Sequence, residues 1–349
     1  MLHIVRLIPK FKLGGVESGV LKEIDIVDKL DNVTYHLIVI ESSDLYIPKD
    51  KNVNILYLDS NWFSIVQNVV RINNYTKSIN SDSVFLLSSL WKSHLHSLFL
   101  NGFKEKIAFF HSASYSHILD KIISRLTYKA SDTILFDSES TSKLYKNNGT
   151  IIPYLFRKNY FPNNSHDLNF VFVGRLNKVK GLDSAIDIIY QLKSMGYKVS
   201  FDIFGPDEGV VDELIEKVNS LCLSDNVTFK GLLENSLVTS ALSNYQFYLQ
   251  TSYREGMATT VIDAIKSGCI PVVTSVGEIS NYCKDLESGI ILTSRSGEGV
   301  VSTCTKIVKC LDNEDIRKSI VNNAKRNVEK IGCFEDEYLK WIGSIDDDS

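Results

Sequence analysis

Short apolar runs of strand length recur along this chain, and most are separated by segments whose apolar residues repeat every three or four positions. In the first half the runs are LHIVRLI, YHLIVI, NILYL, VFLLSS, KIAFFH, DTILFDS and TIIPYL, with helical periodicity between most of them, as over 16–30 and 62–79. Near-continuous apolar strands alternating with helices predict a parallel sheet covered on both faces. Residues 157–167, RKNYFPNNSHD, are polar, with one proline and several asparagines, and predict a linker. Beyond them the alternation resumes with LNFVFVG, YKVSFDIFG, NVTFKG, YQFYLQTS, CIPVVTS and GIILT. The pattern predicts an α/β chain of two doubly wound domains, over 1–156 and 157–333. A helical aromatic pattern at 334–345 (Phe334, Tyr338, Trp341) precedes an acidic tail and is expected to pack back on the first domain.

In such sheets ligands bind beyond the carboxyl ends of the strands, and two of them facing each other would make a deep cleft. The residues just after each strand therefore carry the candidate chemistry. In SYREGMATTVIDAIKSGCIPVV a turn follows a strand, a short helix follows the turn, and Gly268 stops it. Glu255 lies on that turn and Gly256 allows tight backbone there. Met257 and Ala258 lead into Thr259 and Thr260, whose amides at the helix start suit a phosphate. Asp263 lies about a turn further in, where an acid could reach a ribose hydroxyl; the plain alternatives are a dipole partner at Glu255 and a solvated helix acid at Asp263.

In FVFVGRLNKVKGLDSAIDII a strand ends at Gly174, and Arg175 and Lys180 follow it beside a helix start, as a diphosphate clamp or as ordinary surface bases. Gly14 and Gly15 follow the first strand, permitting close approach of a ligand or a plain turn; neither a G-x-G-x-x-G nor a Walker pattern is present. His111 ends the strand KIAFFH, on the ligand edge. His94 and His96 have i, i+2 spacing, which does not place them on one helical face as a metal pair. Lys121, Arg125 and Lys129 form one basic stripe, either a solvated face or a contact for anionic lipid headgroups.

The net charge of −4 hides a mild asymmetry. Residues 1–153 hold 17 Lys and Arg against 15 Asp and Glu, a net of +2, and the remainder 21 against 27, a net of −6. That balance does not suit nucleic acid, which requires a concentrated basic patch. The six cysteines lie in the second half without C-x-x-C spacing and read as reduced core thiols. The start MLHIVRLIPKFK lacks the order of a signal peptide and no run has the length of a membrane span, so a cytoplasmic protein, soluble or peripheral on the inner membrane face, is expected.

Together Gly14-Gly15, His111, Gly174-Arg175-Leu176 with Lys180-Gly181, and Glu255 with Asp263 followed by KSGCIPVV resemble the retaining glycosyltransferases of family 4, which have the GT-B fold: two Rossmann-like domains facing a central cleft. FDIFGPDEG, with Gly205, and NVTFKGLL also match family positions near the nucleotide. The chain departs from the family where the second acid is Asp263, where EGMAT replaces the usual Phe-Gly pair, and where the linker strand lacks Pro-Asn-Gly.

The resemblance implies transfer from a nucleotide-diphospho-sugar, a UDP-sugar by family frequency, to a saccharide or lipid-linked acceptor in bacterial surface polysaccharide synthesis, with no metal and no cofactor. It gives Arg175 and Lys180 the leaving diphosphate, Glu255 and His111 the donor sugar, Gly14 and Gly15 the phosphates, and Asp263 the ribose. These roles imply that Lys180→Ala and Glu255→Ala each abolish transfer with the thermal melt largely intact. A sugar-nucleotide 2-epimerase shares the architecture, and a catalytically silent nucleotide-sugar-binding partner is a further alternative. The oligomeric state is left open.

Overall fold

The structure is a computed structural model. It describes residues 1–347 except 12–14, 42–50, 52, 62, 80, 113, 147–148, 164 and 166, and only the backbone of residues 346 and 347. The chain divides into two compact units, Met1–Arg157 with Gly332–Ser349, and Lys158–Ile331.

In the first unit, β1 (Leu2–Ile8), β2 (Val33–Val39), β3 (Val53–Tyr57), β4 (Val84–Ser89), β5 (Glu105–Phe110), β6 (Thr133–Phe136) and β7 (Thr150–Ile151) form one parallel sheet in the order β3-β2-β1-β4-β5-β6-β7. The intervening helices are α1 (Gly15–Val27), α2 (Ile65–Lys77), α3 (Trp91–Ser97), α4 (Ile118–Ala130) and α5 (Glu139–Tyr145). Successive strand residues point to opposite faces, and both faces are dry. Ile4, Ile8, Leu37 and Leu87 pack with Val20 and Ile24 of α1, while Val5, Leu7, Ile38 and Leu86 pack with Ile72 of α2. TIIPYL yields only two strand residues, Thr150–Ile151, because Pro153 has no amide to extend the ladder.

The second unit repeats the plan. Its strands β8 (Asn169–Val173), β9 (Ser200–Phe204), β10 (Val227–Gly231), β11 (Phe247–Gln250), β12 (Ile270–Val273) and β13 (Ile290–Ile291) are parallel in the order β10-β9-β8-β11-β12-β13. Around them lie α6 (Leu182–Ser194), α7 (Val211–Ser220), α8 (Val238–Leu242), α9 (Thr259–Lys266), α10 (Ile279–Tyr282), α11 (Glu298–Leu311) and α12 (Glu314–Glu329). Each apolar run of the sequence contains a strand, and both sheets follow the Rossmann order, reversing between β1 and β4 and between β8 and β11. The final helix, α13 (Phe334–Asp347), places Phe334, Tyr338 and Trp341 in the core of the first unit with α1.

Residues 158–163 are more firmly held than a free linker. Lys158 and Tyr160 bind Asp263, and Asn163 Nδ2 donates to Tyr245 O at 2.7 Å. The polar side chains that suggested a loose segment are the groups that fasten it. All six cysteines are free, and burial pushes the thiols of Cys269, Cys283 and Cys304 up to about 12. Among the described residues, no helix is long and apolar enough to cross a membrane.

The first-unit core holds an ion pair, Arg6 Nε to Glu23 Oε2 at 2.9 Å, with both side chains fully buried. Burial alone would lower the Arg6 pKa, but the charge of Glu23, with Tyr154, Tyr35 and Tyr338, more than reverses it. Histidines are buried there too. Burial, and then His3, bring His36 down to about 4, and burial, and then Arg6, bring His94 to about 3. His36 faces His3 at 3.0 Å and the Tyr75 hydroxyl at 2.9 Å; His94 faces the Ser88 hydroxyl at 3.0 Å.

Both histidine pKa values lie below the unfolded value of 6.5, so the unfolded chain takes up protons first. Their stabilising share is complete above pH 6.5 and is lost as pH falls toward 4 and then 3. Urea titrations of the first unit's transition are expected to lose about 2 kcal/mol per buried histidine between neutral pH and pH 5. The variant His36→Gln with His94→Gln should show a flatter profile; an equal acid loss in the variant would contradict this.

Candidate active site

At the switch point of the second unit, β8 and β11 present their carboxyl ends side by side. Beyond β8 the chain passes Gly174 and Arg175, makes a short turn capped by Asn177, and enters α6 through Gly181. Beyond β11 it passes Thr251 and Glu255 and enters α9. The two loops are stitched together: Tyr253 N donates to Val179 O at 2.8 Å and Thr251 Oγ1 to Gly181 O at 2.6 Å. Gly181 has φ +60°, and a Cβ there would lie 2.5 Å from Thr251 O, so only glycine lets the loops approach this closely.

That approach brings Lys180 and Glu255 together. Lys180 Nζ lies 2.8 Å and 3.1 Å from the two Glu255 oxygens, with side chains 19% and 9% exposed. Gln250 Nε2 donates to Glu255 Oε1 at 2.9 Å, and the Tyr248 hydroxyl lies 2.9 Å from Gln250 Oε1. Tyr248 and Gln250 therefore fix the carboxylate from behind. Sequence reasoning missed both because they read as strand interior; their one signal was two polar groups in the inward-facing run YQFYLQ.

Arg175 lies on the same edge but outside that pair. Its guanidinium is largely exposed and binds Glu208 at 3.1 Å, and Asn177 Nδ2 donates to the other Glu208 oxygen at 2.6 Å. The Asn177 hydrogen bond first, and then Arg175, hold the Glu208 carboxyl below its usual range against the opposing effect of burial. Gly205, at the end of β9, would with a Cβ run into Gly174 O at 1.8 Å. Its bare backbone is what lets that edge close.

The turn after Glu255 runs through Gly256, buried Met257 and Ala258 into α9. Met257 O accepts from the Tyr282 hydroxyl at 3.2 Å, so its side chain belongs to the core and its backbone to the turn. Ala258 caps α9 without a side-chain hydrogen bond, which leaves the amides of Thr259 and Thr260 for a ligand or water. Its φ of +54° is left-handed, a conformation that strains an L-residue. Ala258→Gly is expected to raise stability by about 0.5–1 kcal/mol in a denaturant melt; a loss of stability would contradict the strain.

Asp263 is buried, unlike the solvated acid the sequence allowed. Its oxygens accept from Lys158 Nζ at 2.7 Å and the Tyr160 hydroxyl at 3.2 Å. It therefore faces the segment entering the unit, while Glu255 faces Lys180.

In the first unit the matching switch point lies beyond β1 and β4. A hollow of about 250 Å³ is lined there by Pro9, Lys10, Glu17, Leu90, Trp91 and Lys92. Lys10 and Lys92 flank Glu41 at 3.0 Å and 2.7 Å. Gly15 opens α1 at the same edge, and Gly14 lies outside the described residues. His111 follows β5, with Nε2 2.7 Å from Ser89 Oγ and the ring beside Tyr154. Its Nδ1 is buried and meets no partner among the described residues. Burial first, then Arg6 and His94, hold its pKa well below the usual value, so the ring is neutral.

Residues 157–327 match the family model described as glycosyl transferases group 1. The chain is 27% identical over 165 residues to the capsular polysaccharide biosynthesis glycosyltransferase CapM of Staphylococcus aureus, covering 46% of this chain and 42% of that one. It is 27% identical over 179 residues, 50% of this chain and 48% of the relative, to an alpha-1,4-N-acetyl-D-galactosaminyltransferase of Campylobacter jejuni named for a diNAcBac-PP-undecaprenol-linked acceptor. The chain thus spans under half the length of these curated relatives. Its whole fold is shared with Anabaena HepE, solved with UDP-glucose, at a TM-score of 0.76 and 15% identity, covering 99% of this chain and 100% of the other. Residues 157–327 therefore resemble the group 1 glycosyl transferases, in a chain whose two Rossmann-like units have the GT-B fold.

Proposed function

We propose that this protein is a retaining glycosyltransferase that moves a sugar from a nucleotide-diphospho-sugar, with UDP as the nucleotide, to a saccharide or lipid-linked saccharide. The observation that carries this is the Lys180–Glu255 pair at the β8–β11 switch point, beside the uncapped start of α9. A diphosphate seated there would meet one cation at Lys180, a second at Arg175 once it swings from Glu208, and amides at Thr259 and Thr260. Positive charge waiting where the leaving diphosphate gains negative charge lowers the barrier to transfer. Lysine and arginine would supply that charge, so the reading asks for no metal.

When the diphosphate takes Lys180, Glu255 keeps its place through Gln250 and turns an oxygen to a donor-sugar hydroxyl. The resemblance gives His111 the donor sugar; with Nε2 held by Ser89 and Nδ1 buried, that contact would require the neutral ring to turn. The family resemblance assigns Asp263 the ribose. With both oxygens engaged, it serves here first to pin Lys158 and Tyr160, and a ribose contact would require that pair to part. The acceptor would be taken by the first-unit hollow, whose Trp91 ring suits the apolar face of a sugar.

The names of CapM, of the Campylobacter enzyme and of HepE with UDP-glucose support a polysaccharide or lipid-linked product and a UDP donor. A thermal-shift screen over nucleotides and nucleotide sugars tests this. UDP-sugars should stabilise by about 2.7 kcal/mol at a hundredfold excess over Kd. Rates with candidate acceptors then separate transfer from 2-epimerisation, which needs no acceptor. No shift with any nucleoside diphosphate would defeat the proposal.

A further inference from the structure

We infer that the outer face of α4 docks the protein onto an anionic lipid surface. A helix on a sheet ordinarily turns its large apolar residues inward, and α4 does the reverse. Its buried residues are Ile123 and the small polar Ser124 and Thr127. Ile118, Leu119, Ile122 and Leu126 lie outward at 66%, 51%, 49% and 51% exposure. At about 3.6 residues per turn, Ile118, Ile122 and Leu126 form one outer stripe with Leu119 beside it. Lys121 and Arg125 run along its other edge, and Lys129 continues the row at the helix end.

The neighbourhood has the same character. α3 packs against both α4 and α2, and α2 buries Asn68, Ile72 and Thr76 while exposing Val66 and Val70. Residues 65–130, which carry all three helices, hold eight Lys and Arg against three Asp and Glu, a net of +5 in a chain whose net charge is −4. An apolar stripe flanked by cations is the form that lies in a bilayer interface, with aliphatic groups at the acyl boundary and cations at the headgroups. The charge selects the occupant: an anionic lipid surface satisfies both stripes, whereas a second copy of α4 would set cation against cation.

Docking does not rest on transfer, because binding is read with no donor or acceptor present. The full chain is sedimented with phosphatidylcholine vesicles and with vesicles about one-third phosphatidylglycerol. It should bind the anionic vesicles and only weakly the neutral ones. Replacing Lys121, Arg125 and Lys129 by Gln should lower the partition coefficient about a hundredfold. Ile122→Ser with Leu126→Ser should lower it at least about tenfold. All these side chains are outward, so the melts should match the parent and exclude unfolding as the cause. The inference is overturned if the parent ignores anionic vesicles or if the variants bind as it does. It is also overturned if the parent is a dimer that the Ile122→Ser, Leu126→Ser variant dissociates, which would make this face a protein interface.

Discussion

Lys180→Met is expected to lower sugar transfer by about a hundred- to a thousandfold, the loss typical of removing one group aimed at developing negative charge. It should also destabilise the second unit. Sequence reasoning alone expected the melt to stay intact, but Glu255 is only 9% exposed, and without Lys180 its main remaining partner is the Gln250 amide. Stranding a buried carboxylate costs about 1–3 kcal/mol. The two effects separate in the double variant Lys180→Met, Glu255→Gln. With the carboxylate gone the melt should recover, while transfer stays lost because no cation faces the diphosphate. Recovery of both would show that Lys180 acts only as a structural counter-ion. Loss of neither would remove it from the site.

Arg6→Met is expected to destabilise the first unit by about 3–5 kcal/mol, the cost of breaking a fully buried pair from one side. The substitution leaves Glu23 among Tyr35 and aliphatic core residues, with no cation to replace the guanidinium at 2.9 Å. Arg6 Nη1 also donates to Leu87 O at 3.3 Å, so a tie between β1 and β4 is lost as well. Adding Glu23→Leu together with Tyr35→Phe should recover most of the stability, since the stranded charge and the buried hydroxyl that donates to it are then both gone. Urea melts of the parent, the single variant and the triple variant check this. A single variant within about 1 kcal/mol of the parent would contradict the burial of the pair.

How much was legible follows from where each signal resides. Strands buried on both faces leave continuous apolar runs, so each was visible, from LHIVRLI to GIILT. Residues after strands were visible as candidates because ligand edges follow from parallel sheets. Partnership was not visible. Nothing in the spacing of Lys180 and Glu255 states that they touch, since that depends on Gly181 letting two loops meet. Nothing in RKNYF states that Lys158 reaches an acid more than a hundred residues away. The Arg6–Glu23 pair hid in the same way, as a lone charge in an apolar strand and another on an amphipathic helix. The α4 stripe was half legible: its basic spacing stood out, while its outward apolar residues looked like any core face until their exposure was known.

The central claim is that the second unit holds a nucleoside diphosphate at the β8–β11 switch point, and a crystal structure of the full chain with UDP tests it most directly. The account expects phosphate oxygens within hydrogen-bonding distance of Lys180 Nζ and of the amides at Thr259 or Thr260, with Arg175 drawn from Glu208 toward them. A diphosphate bound elsewhere, with the Lys180–Glu255 and Arg175–Glu208 pairs undisturbed, would contradict it.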